Sequence, residues 1–158
     1  MPYVKKFCED NNIQVITKIK ENNKPLDKIE CAKFCKALNI PLQIRDYQFN
    51  AFYHAIQEDR CLLLSPTASG KSLVAYIGMI NRLIKDMKGM RGAYVVPLKA
   101  LASEKFEDLR EIAGAVGLTV GLAISDRGSE SNGVDDSDIL VCTSEELDSI
   151  LRTRPGFL

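Results

Sequence analysis

The sequence predicts an α/β fold, a parallel sheet covered by helices on both faces, and three observations lead to it. From Asp46 onward, short apolar runs of strand length alternate with longer stretches of helical periodicity. The runs "CLLLS", "GAYVVP" and "DILVC" carry almost no polar alternation, so each reads as a strand buried on both faces. Finally, a Gly-Lys-Ser triplet stands between the first of these runs and the helix behind it.

The elements follow in order. "YVKKFCEDNN" suggests a short helix ending at its Asn pair, and "IQVITKI" alternates enough for a strand. "ENNKP" has turn chemistry, and "PLDKIECAKFCKALN" reads as a helix with Pro25 near its start and Asn39 near its end. In that helix Ile29, Cys31, Phe34, Cys35 and Leu38 form one apolar stripe, which explains the two cysteines better than a metal site does. Residues 1–40 thus form a small α+β accessory segment, too short to bury a core alone, ahead of a main domain over 41–158. Next comes the helix "RDYQFNAFYHAIQ", with Tyr47, Ala51 and Ile56 expected inward, and then the strand "CLLLS". The long helix "KSLVAYIGMINRLIKDM" leads to the strand "GAYVVP" and the helix "LKALASEKFEDLREIA". "LTVGLAI" is a third strand, "RGSESNGVDDS" a polar loop and "DILVC" a fourth strand. "TSEELDSILR" is a short final helix with Thr143 or Ser144 as its N-cap and acids in its first turn.

Composition narrows the function classes. The 158 residues are 46% hydrophobic and 27% charged, ordinary values for a folded globular chain. Lys and Arg total 21, as do Asp and Glu, so no global basic field advertises a polyanionic partner, although a local groove is compatible with neutrality. No stretch approaches the roughly 20 apolar residues of a membrane span, and "MPYVKKFCEDNN" has no apolar signal core. An odd count of five cysteines, in a chain able to build a core without disulfides, points to a reducing, intracellular setting.

The stretch "SPTASGKS", residues 65–72, carries the chemistry. Between a strand and a helix, backbone N–H groups of the turn and of the helix N-terminus converge on anionic oxygens. Gly70 lets the backbone bend and approach where a side chain would clash. Thr67, Ala68, Ser69 and Gly70 form the cradle, Lys71 reaches the terminal phosphates as the candidate catalytic cation, and the Ser72 hydroxyl is a candidate ligand for Mg²⁺. The pattern G-x-x-x-x-G-K-[ST] is broken once, because Ser65 occupies its first position.

That departure resembles the first motif of superfamily 2 helicases, which commonly lack the first glycine; Ala68 stands where many of them have glycine. Two further stretches strengthen the resemblance. "IRDYQ" lies one helix ahead of the loop, where such helicases carry an adenine-reading glutamine; Gln48 offers the paired donor and acceptor that suit an adenine edge, against the plainer reading of an exposed helix glutamine. "VVPLKALASEKFEDL" is similar to motif Ia, whose turn touches the phosphates of single-stranded nucleic acid, and the match rests on Pro97, Lys99 and Ala100. "DILVCTSEELDSILR" resembles the motif Ib region, so Thr143 and Ser144 are candidate phosphate contacts as well as caps. Residues up to about Lys85 look most like phage UvsW-type helicases, and those from about Arg91 like archaeal Ski2-like DNA helicases. A divergent natural protein or a recombined one would both give that pattern.

The resemblance implies a RecA-like P-loop domain that binds ATP with Mg²⁺ and acts on single-stranded or branched DNA, with RNA possible, in DNA repair or recombination. It also implies an Asp-Glu strand and a second RecA-like domain. The sequence ends at "RTRPGFL", where that strand is expected, so the reading is a domain incomplete at its C-terminus, weak in turnover by itself, with the strand "CLLL" left on an unpaired edge. Two alternatives stay open: another P-loop nucleotide hydrolase or kinase, and a non-hydrolysing nucleic-acid-binding or interaction module derived from a helicase.

Overall fold

Every strand pairing among the described residues is parallel. The computed structural model describes residues 14–16, 33, 35–36, 46–57, 61–66, 69–85, 89–124 and 133–157. The chain divides into two compact units, Met1–Lys36 with Pro41–Arg82, and Ala37–Ile40 with Leu83–Leu158.

In the first unit, β1 (Gln14–Ile16) pairs with β2 (Cys61–Leu63) in the register Gln14↔Cys61, Val15↔Leu62, Ile16↔Leu63. The strand expected in "IQVITKI" therefore forms, and it is the neighbour of the strand that enters the Gly-Lys-Ser loop. β1 gives Leu62 and Leu63 a partner on one side. β2 is also less buried than its composition suggests: Cys61 is exposed, Leu62 and Leu63 are half-buried, and Leu64 keeps 38% of its surface. Its sheet has two strands among the described residues, so one side of β2 has no further strand to cover it.

Helix α1 (Asp46–Gln57) packs against β2, and its buried stripe runs through Gln48, Ala51 and Phe52 to half-buried Ala55, the i, i+3, i+4, i+7 spacing of one helix face. The expected inward positions meet it in part. Ala51 is on it, Tyr47 flanks it half-buried, and the Ile56 side chain lies outside the described residues. Helix α2 (Lys71–Lys85) buries Val74, Tyr76, Ile77, Ile80, Asn81 and Leu83, a band too wide for a surface helix. Gly78 lets α2 pass close to α1: a Cβ there would lie 3.2 Å from the Ala55 Cβ. The N-terminal helix assignments fall largely outside the described residues; within them Lys33, Cys35 and Lys36 are helical and Cys35 is fully buried.

The second unit is a three-stranded sheet in the order β3 (Gly92–Val96), β5 (Ile139–Thr143), β4 (Val120–Ala123). Helix α3 (Lys99–Gly114) makes the crossover from β3 to β4 and lies along all three strands, burying Ala102, Leu109 and Ala113. All five residues of β5 are buried, as "DILVC" predicts, because β5 has a partner on each side. Burying each such Ile, Leu or Val side chain contributes on the order of 1.5–3 kcal/mol. Leu140 and Cys142 face one cluster with Ala123, Val134 and Ile150, the last from helix α4 (Ser144–Thr153). β3 corrects the sequence reading: among the described residues it has a strand on one side only, and it is buried only at Val96, with Val95 45% exposed. Where β4 and β5 begin, Thr119 and Asp138 lock reciprocally. Thr119 N and Oγ1 donate to Asp138 Oδ2 at 2.8 and 2.7 Å, and Asp138 N donates to Thr119 Oγ1 at 3.0 Å. No helix among the described residues is long and apolar enough to cross a membrane.

Candidate nucleotide site

Apolar β2 delivers the chain into the small polar stretch after Leu64, and helix α2 begins at Lys71. The turn between them is set by Gly70, whose φ of 86° lies in the left-handed region where a side chain is strained. Behind it the first N–H groups of α2 have no partner within the helix, and no acidic residue occupies its first turn. That end of the helix favours an anion.

The loop is braced by its own side chains. Ser65 Oγ donates to Ser69 Oγ at 2.6 Å, joining the two ends of the stretch. Lys71 Nζ donates to the carbonyl oxygens of Ser65 at 2.8 Å and Pro66 at 2.6 Å. Its ammonium has three N–H groups, so two are spent on the loop itself. Ser72, the second residue of α2, is half-buried. Thr67 and Ala68 lie outside the described residues.

Helix α1 closes one side of this loop. Gln48 is not an exposed helix glutamine: it is 6% exposed, and its Nε2 donates to the Gly70 carbonyl at 3.4 Å. A Cβ built on Gly70 would meet that Nε2, so a side chain there would have to push the glutamine amide aside, whereas the φ is a strain that no neighbour can relieve. The same hypothetical Cβ would lie 3.6 Å from Tyr47 Oη, a buried hydroxyl with no hydrogen-bond partner among the described residues. The sequence reading took Tyr47 as a core residue, and Ser65 only as a break in a motif. Their polar roles depend on which side of α1 meets the loop and on how the loop folds back, neither of which periodicity records.

Chemically, the donor set is one ammonium, one hydroxyl at the head of a helix and a row of free backbone N–H groups. These suit a polyphosphate carrying a divalent cation: hydroxyl oxygen for the metal, N–H and ammonium for the phosphate oxygens. The amide of Gln48 lies against the turn at Gly70.

The remaining candidates gather in the second unit. The register Val96↔Thr143 brings the turn after β3 beside the turn after β5, both at the carboxyl ends of parallel strands. Pro97, Lys99 and Ala100 are exposed around the start of α3. That helix has Leu98 at its N-cap, no side-chain cap and no acid in its first turn, so its N–H groups face outward. α4 differs. Thr143 is 4% exposed, and its Oγ1 accepts from Glu146 N at 3.4 Å, a cap whose hydroxyl is turned to its own helix. Ser144 is exposed. The Glu145 carboxyl is held below the usual range, mainly by its own backbone N–H and then by the hydroxyls of Thr143 and Ser144. A carboxylate therefore already sits at the α4 N-terminus, while the α3 N-terminus is open to an anion.

Comparison with known proteins gives one family. The DEAD/DEAH box helicase family model matches residues 45–157. Over 97 residues the chain is 41% identical to the ATP-dependent DNA helicase Hel308 of Pyrococcus horikoshii, a match covering 61% of this chain and 13% of that protein. Over 138 residues it is 34% identical to Hel308 of Methanocella arvoryzae, covering 77% of this chain and 18% of that one. The chain thus spans less than a fifth of the length of these curated relatives. Among solved structures, the RNA-helicase Prp28 from Chaetomium thermophilum bound to ADP superposes with a TM-score of 0.66 at 18% identity, covering 94% of this chain and 39% of that one. The UvsW helicase of bacteriophage T4 gives 0.58 at 19%, covering 94% and 54%. At these identities the two structures speak for the fold alone, a RecA-like helicase arrangement of parallel strands and helices.

Proposed function

This chain belongs to the DEAD/DEAH box helicase family, and from that premise we propose that it binds Mg²⁺-ATP at residues 65–72 as the nucleotide-binding part of an intracellular ATP-dependent DNA helicase. Single-stranded or branched DNA is the proposed partner, in keeping with relatives named as DNA helicases, and a second RecA-like domain in the whole protein would complete the motor.

The observation that carries the reading is the burial of Gln48 on Gly70. A glutamine on a helix one element ahead of the loop has no packing reason to be buried, yet it donates to the one glycine that shapes the phosphate turn. A side-chain amide carries both a donor and an acceptor, the pair that suits a purine edge. Lys71 would exchange its bonds to Ser65 and Pro66 for the terminal phosphate oxygens, staying within reach because the loop closes around it. Ser72 would ligate Mg²⁺, the remaining N–H groups of α2 would hold the phosphates, and Thr67 and Ala68 would line the cradle. Bound ATP supplies the phosphoryl group whose loss drives the motor.

For nucleic acid, the α3 N-terminus with Pro97, Lys99 and Ala100 is the main proposed backbone contact. Ser144 and the turn at Thr143 are a weaker one, because Glu145 and Glu146 repel phosphate there. Such contacts read the backbone and weaken with salt.

Calorimetry with Mg²⁺-ATP on the parent chain and Lys71→Ala tests the nucleotide site. Charged hydrogen bonds of about 1.5–3 kcal/mol predict a loss of tenfold or more without unfolding. Equal affinity in both proteins would rule the reading out.

A further inference from the structure

The proposed nucleotide site leaves one polar group unused. Tyr47 is half-buried, but its hydroxyl oxygen is fully enclosed and has no partner among the described residues. Buried hydroxyls are nearly always hydrogen-bonded, so one without a partner marks a place where something else arrives. The position is specific. Tyr47 Oη stands 3.6 Å from where a Gly70 Cβ would be, next to Gln48, which already donates to the Gly70 carbonyl.

The state of the loop suggests what that partner is. Lys71 is bonded to the loop's own carbonyls, and Ser65 is bonded to Ser69. A polyphosphate drawing the Lys71 ammonium off those carbonyls would free the loop backbone to shift around Gly70, where the Tyr47 hydroxyl stands as a donor without a partner among the described residues.

We propose that Tyr47 is a positioning residue for the nucleotide, its hydroxyl donating to the phosphate-loop backbone beside Gly70 when a polyphosphate is held. This rests on the reading of residues 65–72 as a nucleotide site. Tyr47 acts through the loop and not on the base, so its effect follows the phosphates and is indifferent to adenine.

The test compares the parent chain with Tyr47→Phe, which keeps the ring and removes only the hydroxyl. Affinities for Mg²⁺-ATP and for Mg²⁺-tripolyphosphate are measured by calorimetry and thermal stability by calorimetric unfolding without ligand. One hydrogen bond gained on binding predicts that both affinities fall by about two- to tenfold. The unliganded melting temperature stays level or rises, because the variant loses a buried group that had no partner. Unchanged affinities overturn the proposal, and so does a loss confined to ATP, which would put the hydroxyl on the nucleoside. A loss that accompanies a lower melting temperature also overturns it, as a packing effect. A parent chain that binds neither ligand overturns the nucleotide site itself, and this assignment with it. A parent that binds while Tyr47→Phe binds equally well overturns only the assignment.

Discussion

Gln48 and Gly70, 22 positions apart in the chain, meet so closely that the glutamine amide occupies the space a side chain at position 70 would need. The hydrogen bond between them, 3.4 Å from Nε2 to the carbonyl, ties the first turn of α1 to the head of α2. Two effects therefore meet at one residue, a backbone in the left-handed region and an amide that a Cβ would displace.

Gly70→Ala separates those effects. The left-handed φ costs about 1–2 kcal/mol for any L-residue, and the displaced amide adds to it. The double variant Gly70→Ala/Gln48→Ala recovers the steric part and not the backbone part. Chemical denaturation of the three proteins checks this, and full recovery in the double variant would show that φ is not a constraint.

Ser65 stands where the common phosphate-loop pattern has glycine, and its hydroxyl staples the loop to Ser69. Ser65→Ala removes a bond worth about 0.5–1.5 kcal/mol of preorganisation. The expected result is Mg²⁺-ATP binding weakened by about two- to tenfold with the fold intact. Calorimetric affinity equal to the parent's would mean that the staple opens on binding.

Thr143 is a helix cap before it is anything else. Thr143→Ala should lower stability by about 0.5–2 kcal/mol, whereas Thr143→Ser keeps the acceptor and most of the stability. The Glu145 carboxyl, which loses the threonine hydroxyl in the alanine variant, should titrate closer to the ordinary range. Denaturant midpoints and an NMR titration of Glu145 read the two effects separately.

Cys142 lies in the fully buried central strand, where burial, aided by the nearby Glu146 charge, pushes its thiol up to about 11. Below the usual thiol range both folded and unfolded chains keep the proton. Above about pH 9 the unfolded chain gives it up first, so folding stability falls as pH rises and the loss continues to about 11. Denaturation midpoints measured from pH 8 to 11 should show that fall, and Cys142→Ala should flatten it. In the folded protein the thiol should stay unreactive to alkylation at neutral pH.

Much of this was legible from residue order. The alternation of apolar runs and helices places α1 to α4 and all five strands, and "SPTASGKS" locates the loop because a strand and a helix flank it. Burial was less legible. "CLLL" and "GAYVV" are as apolar as "DILVC", but among the described residues only β5 has a strand on both sides. Composition reports a strand's preference for burial and says nothing of how many neighbours it obtains. Gln48, a polar residue, lies on the buried stripe of α1. Hydrophobic periodicity discards such a residue by construction, and it is the one that marks the site.

Gly78, inside α2, changes what Gly70, just ahead of that helix, means. Gly78 admits Ala55, and Gly70 admits Gln48, so α1 rests on α2 at one point and on the turn ahead of α2 at the other. Seven residues separate the contacts on α1 and eight those on the segment from Gly70 to Gly78, a span of about 10–12 Å at 1.5 Å per residue. Two rests that far apart act as a beam on two supports: α1 can neither roll nor tilt without lifting off one of them. Enlarging Gly78 by a single methyl group raises the far support, and the beam passes that displacement to Gln48 two turns away. The width of the gap at a helix crossing thereby sets the height of the amide above the phosphate turn.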